Sequence, residues 1–176
     1  MTLADLHAAI ARVAASLGTD TSTIEEAIGL LLCDPSPGAD TGYAATPLNS
    51  VVFAWMGCDG CHWVALDLPG RPIHERPVFH VSPMDWEHTC QGEDLRGFIE
   101  QHCAFCESLR LENDPICPTI PEQRAKSLSI IAAMREQLGL ANVHYDDAYA
   151  ERLTARYAEL LDLRPEDFQY PDEQPP

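Results

Sequence analysis

Two pairs of cysteines have the spacing in this sequence that could most readily do chemistry. Cys58 and Cys61 form the first pair, and Cys103 and Cys106, with the same separation, form the second. Four thiolates in two such pairs could hold a structural zinc ion in tetrahedral geometry. The gap between the pairs is longer than in most zinc ribbons, and the second pair lies in an apolar helical pattern where cysteine is often a core residue. We therefore expect no cofactor and no metal, with a zinc-stabilised domain using all four cysteines as the alternative.

The first pair also belongs to the run Cys58-Asp59-Gly60-Cys61-His62, which matches the pattern for covalent attachment of c-type haem. Haem attachment requires export, and residues 1–7 show an early acid and no basic segment of the kind that begins a signal peptide. A redox dithiol would need a helix N-terminus beside it, whereas these cysteines flank a predicted turn between strands. We expect neither chemistry, and we expect a cytoplasmic protein with reduced thiols.

Patterns typical of hydrolases are not found: there is no Gly-x-Ser-x-Gly, no His-Glu-x-x-His and no phosphate loop. One catalytic alternative is an acid/base pair of His62 with Asp59 or Asp85. It requires side chains within about 3.2 Å of each other or of a shared water. A histidine between an apolar run and Trp63 is more often half-buried and hydrogen-bonded, so we expect a protein that is not an enzyme.

Charge indicates the kind of partner. The 176 residues include 28 acids and 11 bases, with Lys126 as the one lysine, for a formal charge of −17. The excess is spread along the chain, with −5 over 1–40, −7 over 41–118 and −6 over 140–176, whereas 119–139 has +1 from three bases and two acids. Such a field repels nucleic acid and anionic lipid and speeds encounters with basic surfaces. We expect a protein partner with a basic surface, and neither nucleic acid nor membrane.

The elements that must position these residues begin with two helices. Apolar residues at helical spacing run from Leu3 to Leu17, after a possible capping box that begins at Thr2. A second helix is predicted from Ser22, with an apolar face that extends to Leu32. The segment 33–47 contains three prolines and is predicted to be a loop or an irregular extended segment.

The middle of the chain changes to a strand-like period. Strands are predicted at 50–56, 61–68 and 78–82, and Asp59-Gly60 between the first two is typical of a tight hairpin turn. Residues 85–88 follow as a polar, aromatic loop. Helical spacing returns from Glu93, with two further helices predicted at 121–139 and at about 146–161.

This order predicts an α+β fold, with a small antiparallel sheet packed against helices. We expect one domain over 1–163, made of a helical N-terminal part (1–42), a central core (43–111) and C-terminal helices (119–163). Residues 164–176 form an acidic tail with prolines, which we expect to be disordered.

The central core resembles the SUKH superfamily, which includes fungal cell-wall-synthesis regulators and bacterial immunity proteins. Its hairpin is similar to that family's in Phe53-Ala54, Gly57, Asp59-Gly60 and His62-Trp63. The strand 77–85 ends in Pro-Met-Asp like the family's next strand, and 93–99 is similar to the helix that follows it. Two positions depart from the family pattern, because Cys58 replaces a glycine and Cys61 a small aliphatic residue.

The resemblance implies a mixed sheet packed against helices, no catalytic apparatus and a role in binding. Many bacterial members neutralise a toxin domain, and an acidic surface suits that task because charge complementarity speeds association. We therefore predict an immunity protein that masks a basic surface of its toxin. The residues predicted to bind the partner are Asp59, His62, Trp63, Asp85, Trp86 and Glu87.

Overall fold

The computed structural model describes residues 1–57, 59–112 and 121–164. Five helices and five strands follow in the order α1 (Leu3–Leu17), α2 (Thr21–Ile28), β1 (Leu31–Pro37), β2 (Ser50–Trp55), β3 (His62–Leu66), β4 (Val78–Ser82), β5 (Glu87–Gly92), α3 (Leu95–Glu112), α4 (Pro121–Leu138) and α5 (Asp147–Tyr157). The sheet has the order β1-β2-β3-β4-β5, and each pair is antiparallel. The predicted α+β fold is confirmed, but the sheet is antiparallel throughout its described strands and not mixed.

Local capping determines where the first helices begin and end. Thr2 and Asp5 form the predicted capping box at the start of α1, and Gly18 ends that helix with φ of 65°. The cap of α2 is Asp20, whose carboxylate accepts from the Thr23 backbone N–H at 2.8 Å. The prediction that this helix extends to Leu32 is wrong, because Gly29 adopts φ of 67° and ends the helix.

Strand β1 lies where a loop or irregular extended segment was expected. It pairs with β2 through Leu31 opposite Trp55 and Pro37 opposite Val51, with an irregularity in between. A proline has no N–H to give a neighbouring strand, so Pro35 and Pro37 are tolerated because β1 is at the edge of the sheet. The N-terminal part is therefore not only helical, and the sheet extends beyond the core predicted at 43–111.

The central hairpin forms at the Asp59-Gly60 pair, as predicted. The backbone N–H of Met56 donates to the carbonyl of Cys61 at 2.9 Å, which closes the turn. Asp59 and Gly60 have φ of 50° and 71°, the positive values that a tight turn with the right-handed strand twist needs. The turn connects β2 to β3, with Trp55 opposite His62.

Strand β5 is the element that the sequence pattern missed. Glu87 and His88 were placed in a loop, but they begin a strand that pairs with β4. Its sequence has little of the apolar alternation that marks a strand, so the pairing depends on neighbours that lie outside it. Helix α5 covers its free edge, where the backbone N–H of Cys90 donates to the Thr154 hydroxyl at 2.8 Å.

The sheet is buried on both faces. Helices α1–α4 cover one face, where Phe53, Trp63 and Phe98 lie in the larger core. The other face holds a second core that includes Val64 and, from α5, Leu153. Alternate residues of β3 therefore point into different cores. None of the described helices combines the length and the apolar character that spanning a membrane requires.

The close approach of β5 to α3 makes Gly92 sensitive to substitution. A Cβ at this position would lie 2.3 Å from the backbone N and 2.6 Å from the Cα of Phe98. Backbone atoms of a packed helix cannot move aside cheaply, so Gly92→Ala is expected to lower the free energy of unfolding by about 1–3 kcal/mol. Urea unfolding measures the difference.

The matched control is Gly97→Ala, in the first turns of α3. A Cβ there would meet its nearest neighbour, the Asp94 carboxylate, at 3.5 Å, an ordinary contact. Alanine favours a helix by about 1 kcal/mol over glycine, so this variant should be neutral or slightly more stable. Equal urea midpoints for the two variants would contradict the proposed clash.

Candidate functional site

Two turns at one end of the sheet bring together most of the residues predicted to bind a partner. Every second connection of an antiparallel meander returns to the same end, so the β2–β3 turn and the β4–β5 turn lie side by side. Two strand spacings separate them, which is about 10 Å. We call this surface the acidic end and define it by residues 56–57, 59–61 and 83–87.

The acidic end exposes carboxylates without compensating cations. Asp59, Asp85 and Glu87 are exposed, and none of them takes part in the ion pairs of the described chain. No arginine or lysine occurs in its two turns or in strands β2 to β5. The negative charge at this end is therefore available to a partner.

An exposed methionine lies among these carboxylates. Met84 is 77% exposed, the largest value among the exposed large hydrophobic residues of the described chain, and Met56 in the neighbouring turn is also exposed. Neither methionine is among the residues predicted to bind a partner, although the position of Met84 in a turn directly after Pro83 is a signal of an exposed apolar group. Protein interfaces commonly combine a flexible apolar side chain with polar or charged residues around it.

The backbone of both turns is held in an uncommon conformation. Asp59 and Trp86 are the non-glycine residues with positive φ in the described chain, at 50° and 54°. This conformation is costly for a bulky residue, on the order of 1–3 kcal/mol, and persists where neighbours enforce it. Trp86 is half-buried against the second core, and Ser82 donates to the Asp85 carboxylate at 2.8 Å. The β4–β5 turn is therefore preorganised.

His62 does not lie on this surface, contrary to the prediction that it binds a partner. Its side chain is 0% exposed, with Nδ1 2.7 Å from the Gly60 carbonyl and Nε2 3.0 Å from the Thr46 hydroxyl. A carbonyl only accepts, so Nδ1 carries the proton and the Thr46 hydroxyl donates to Nε2. Burial lowers the pKa of His62, while the hydrogen bond to Gly60 opposes that shift.

The contacts of His62 decide its chemistry. Both ring nitrogens are occupied and the ring is inaccessible, so the hypothesis that His62 acts as an acid or base with Asp59 or Asp85 is wrong. The ring stacks on Tyr43 at 5.9 Å between centroids. His62 therefore fastens the hairpin turn to the segment that contains Thr46, and so positions the acidic end from within.

Trp63 is also buried, at 1% exposure, and cannot contact a partner directly. Its Nε1 donates to the Gln91 side chain at 3.0 Å, and its ring lies 5.2 Å from His102 and 5.4 Å from His80. The prediction failed because β3 is covered by helices on the face to which this side chain points. Only the packing of α3 shows this.

The described cysteines of the alternative zinc-stabilised domain, Cys61, Cys103 and Cys106, do not come together as a metal site. Burial raises the pKa of Cys103 to about 12 and that of Cys106 to about 11, which disfavours the thiolate that a metal requires. The Cys106 thiol donates to the Ile28 carbonyl at 3.3 Å. The described chain contains no group of three or more potential ligands that could hold a metal, and Cys58 lies outside it.

The remaining predicted segments fall partly outside the described residues. Of the tail predicted to be disordered, 165–176 is not described, whereas Arg164 donates to the Ala39 carbonyl at 2.8 Å.

Two larger pockets, of about 440 and 720 Å³, both contain Tyr145 and Asp147 in their lining, and neither includes any of the six predicted partner residues. A hollow of about 270 Å³ lies beside Asp59 in the acidic end.

Fold and site together define an α+β domain whose antiparallel five-stranded sheet presents an acidic end. Comparisons with protein-family models, with curated proteins and with solved structures each found no match. The function is therefore inferred from the geometry and charge of the chain itself.

Proposed function

We propose that this chain is a non-catalytic protein-binding domain, an immunity protein of the SUKH type that neutralises a toxin domain by covering a basic surface. The observation that carries the proposal is the acidic end, where Asp59, Asp85 and Glu87 are exposed without ion pairs around the exposed Met84. Four of the six residues predicted from the sequence to bind a partner belong to this end.

Charge complementarity explains how such a surface would select its partner. The chain carries −17 overall, and the cation-free end concentrates part of that charge on a preorganised pair of turns. A toxin that acts on nucleic acid needs a basic cleft, which this surface would attract and then occupy. Met84 would supply the apolar anchor that central positions of interfaces usually need.

Some of the residues by which the chain resembles the SUKH superfamily also belong to the acidic end. The Asp59-Gly60 pair and the Pro83-Met84-Asp85 segment are among the residues by which the chain resembles the SUKH superfamily, and both lie in the acidic end. Fold alone does not determine function, so the proposal depends on the surface and not on the sheet.

The proposal is tested with the products of the genes that adjoin the gene for this chain. Each product is purified and titrated with the full chain, and each toxic product is coexpressed with it. We expect one product to bind with a Kd below about 1 μM and its toxicity to be suppressed. Binding of every product weaker than that, together with no rescue of growth, would remove the immunity function.

Neutralising the acidic end should slow association with that partner. The triple variant Asp59→Asn, Asp85→Asn, Glu87→Gln keeps an amide that accepts from Ser82 and an asparagine that tolerates positive φ at position 59. The association rate constant is expected to fall about tenfold at low salt, because steering by these charges is lost. Stopped-flow mixing at several ionic strengths measures it, and the difference should vanish at high salt.

A matched control carries the same change in net charge elsewhere on the surface. Asp34, Glu136 and Glu159 are exposed and outside the acidic end, and their amide variants are expected to alter the rate far less. If both triple variants slow association equally, net charge and not this surface guides the encounter. The assignment of the interface to the acidic end would then be withdrawn.

A further inference from the structure

A basic pocket lies away from the acidic end, between α2, the last turns of α3 and the first half of α4. Its volume is about 200 Å³, and it is open to solvent. The described polar residues that line it are Thr23, Glu26, Arg110, Gln123, Lys126 and Ser127. The pocket therefore contains the one lysine of a chain with 28 acidic residues.

Arg110 in this pocket has an unsatisfied donor. Its Nε is buried and has no hydrogen-bond partner among the described residues, whose ion pairs do not include this side chain either. Arg135 also leaves Nε unbonded, but its terminal nitrogens bond to Glu107 and to the Ala141 carbonyl. Arg76 pairs with Asp67 at 2.8 Å. A buried donor without a partner is unfavourable, and a bound water or ion is one of the ways in which native structures satisfy it.

The surroundings of Arg110 favour an anion. Gln123, Lys126 and Ser127 lie in the first two turns of α4, where the positive end of the helix dipole adds to the side-chain charges. The stretch 119–139, which contains all of α4, also has a net charge of +1, from three bases and two acids. Of the described residues that line the pocket, Arg110 and Lys126 are basic and Glu26 is acidic, and the nearby Asp20 carboxylate is held in the cap of α2 by hydrogen bonds from Thr23 and Ser22.

We infer that this pocket binds a phosphate group. The guanidinium of Arg110 offers Nε and Nη in one plane, which suits two oxygens of a tetrahedral oxyanion. Lys126 supplies a point charge to a third oxygen, and the hydroxyl of Ser127 supplies a neutral donor. Several donors that approach from different elements fit a tetrahedral group better than a planar carboxylate. This site is independent of the proposed protein-binding function and goes beyond it.

The test uses the full chain and inorganic phosphate, with chloride at matched ionic strength as the reference. Chemical-shift or calorimetric titration gives the Kd, and thermal unfolding gives an independent readout, since a ligand that binds the folded state raises the midpoint. We expect saturable binding, and a Kd about tenfold or more weaker in Arg110→Gln. Titration with O-phosphoserine and with a nucleoside monophosphate identifies which source of the group is preferred.

Two further variants distinguish loss of the phosphate site from loss of the fold and from a general effect of net charge. Lys126→Gln changes an exposed residue of the pocket, so it should weaken phosphate binding without loss of the fold. Arg71→Gln is exposed, carries the same change in charge and lies outside the pocket, so it should leave the Kd unchanged. No saturable binding of phosphate over chloride, or equal Kd values for Arg110→Gln and Arg71→Gln, would overturn the inference.

Discussion

Acidification from pH 7 to pH 4 is expected to lower the free energy of unfolding by about 3 kcal/mol through His102 alone, with a further loss from His80. Burial lowers the pKa of both histidines to about 4 from an ordinary value of 6.5. His102 is 5% exposed, and its Nε2 donates to the Ile28 carbonyl at 2.7 Å, which opposes the shift. Both rings therefore fold as neutral imidazoles.

Whether stability rises or falls with pH depends on which state, folded or unfolded, binds more protons. Between pH 6.5 and about 4 an unfolded histidine is protonated, while the folded one stays neutral. The unfolded state therefore gains protons as the pH falls, and stability decreases in that window. For His80 the burial of Nε2 without a hydrogen-bond partner acts in the same direction, and the nearby rings of His102 and His62 add to it. Above pH 6.5 these histidines should cause little change.

Urea unfolding at several pH values between 4 and 7 measures this dependence. His102→Gln is expected to reduce the pH slope by about one proton at its steepest, whatever its stability at pH 7. The control is His7→Gln, because His7 is exposed on α1 and its replacement should leave the slope unchanged. An unaltered slope in both variants would mean that His102 titrates alike in the folded and unfolded states.

Replacement of Trp63 by alanine should lower the free energy of unfolding by about 3–5 kcal/mol. The ring is among the largest fully buried side chains, and it lies against Phe98 and His102 of α3 at 6.1 and 5.2 Å between centroids. Its loss would leave a cavity between β3 and α3 and an unpaired Gln91 side chain. Urea or thermal unfolding monitored by far-UV circular dichroism gives the difference.

Comparison with Trp63→Phe separates the lost volume from the lost hydrogen bond. Phenylalanine keeps most of the apolar contact but cannot donate to Gln91, so a smaller loss of about 1–2 kcal/mol is expected. Trp86→Ala, at the half-buried tryptophan of the acidic end, should cost less than Trp63→Ala. If Trp63→Ala were no more harmful than Trp86→Ala, Trp63 would not be a buried core residue.

These two predictions concern the interior that supports the acidic end. His62 and Trp63 were predicted to bind a partner, and both act from inside the fold. One ties the hairpin turn to Thr46, and the other joins the sheet to α3. A substitution at either position would therefore reduce binding by displacing the turns, and unfolding measurements must accompany any binding measurement on such variants.

Elements that depend on neighbouring residues alone could be predicted from the sequence. The capping box of α1 and the start of α4 at Pro121 need contacts within one turn, and the Asp59-Gly60 turn needs positive φ at two adjacent residues. The residue types decide these features locally. The acidic character and the exposure of Asp59 and Asp85 were accessible in the same way, since charged residues in turns remain in water.

Only the tertiary structure decided the features that depend on distant partners. Strand β1 forms by pairing with β2, and β5 forms by pairing with β4 and packing against α5. Neither segment has the alternation of apolar and polar residues that is typical of a strand. Helix α3 buried Trp63, the segment that contains Tyr43 and Thr46 buried His62, and the order of the strands set the β2–β3 and β4–β5 turns side by side. A strand's hydrogen bonds and a side chain's burial are made with residues far along the chain, so local pattern does not contain them.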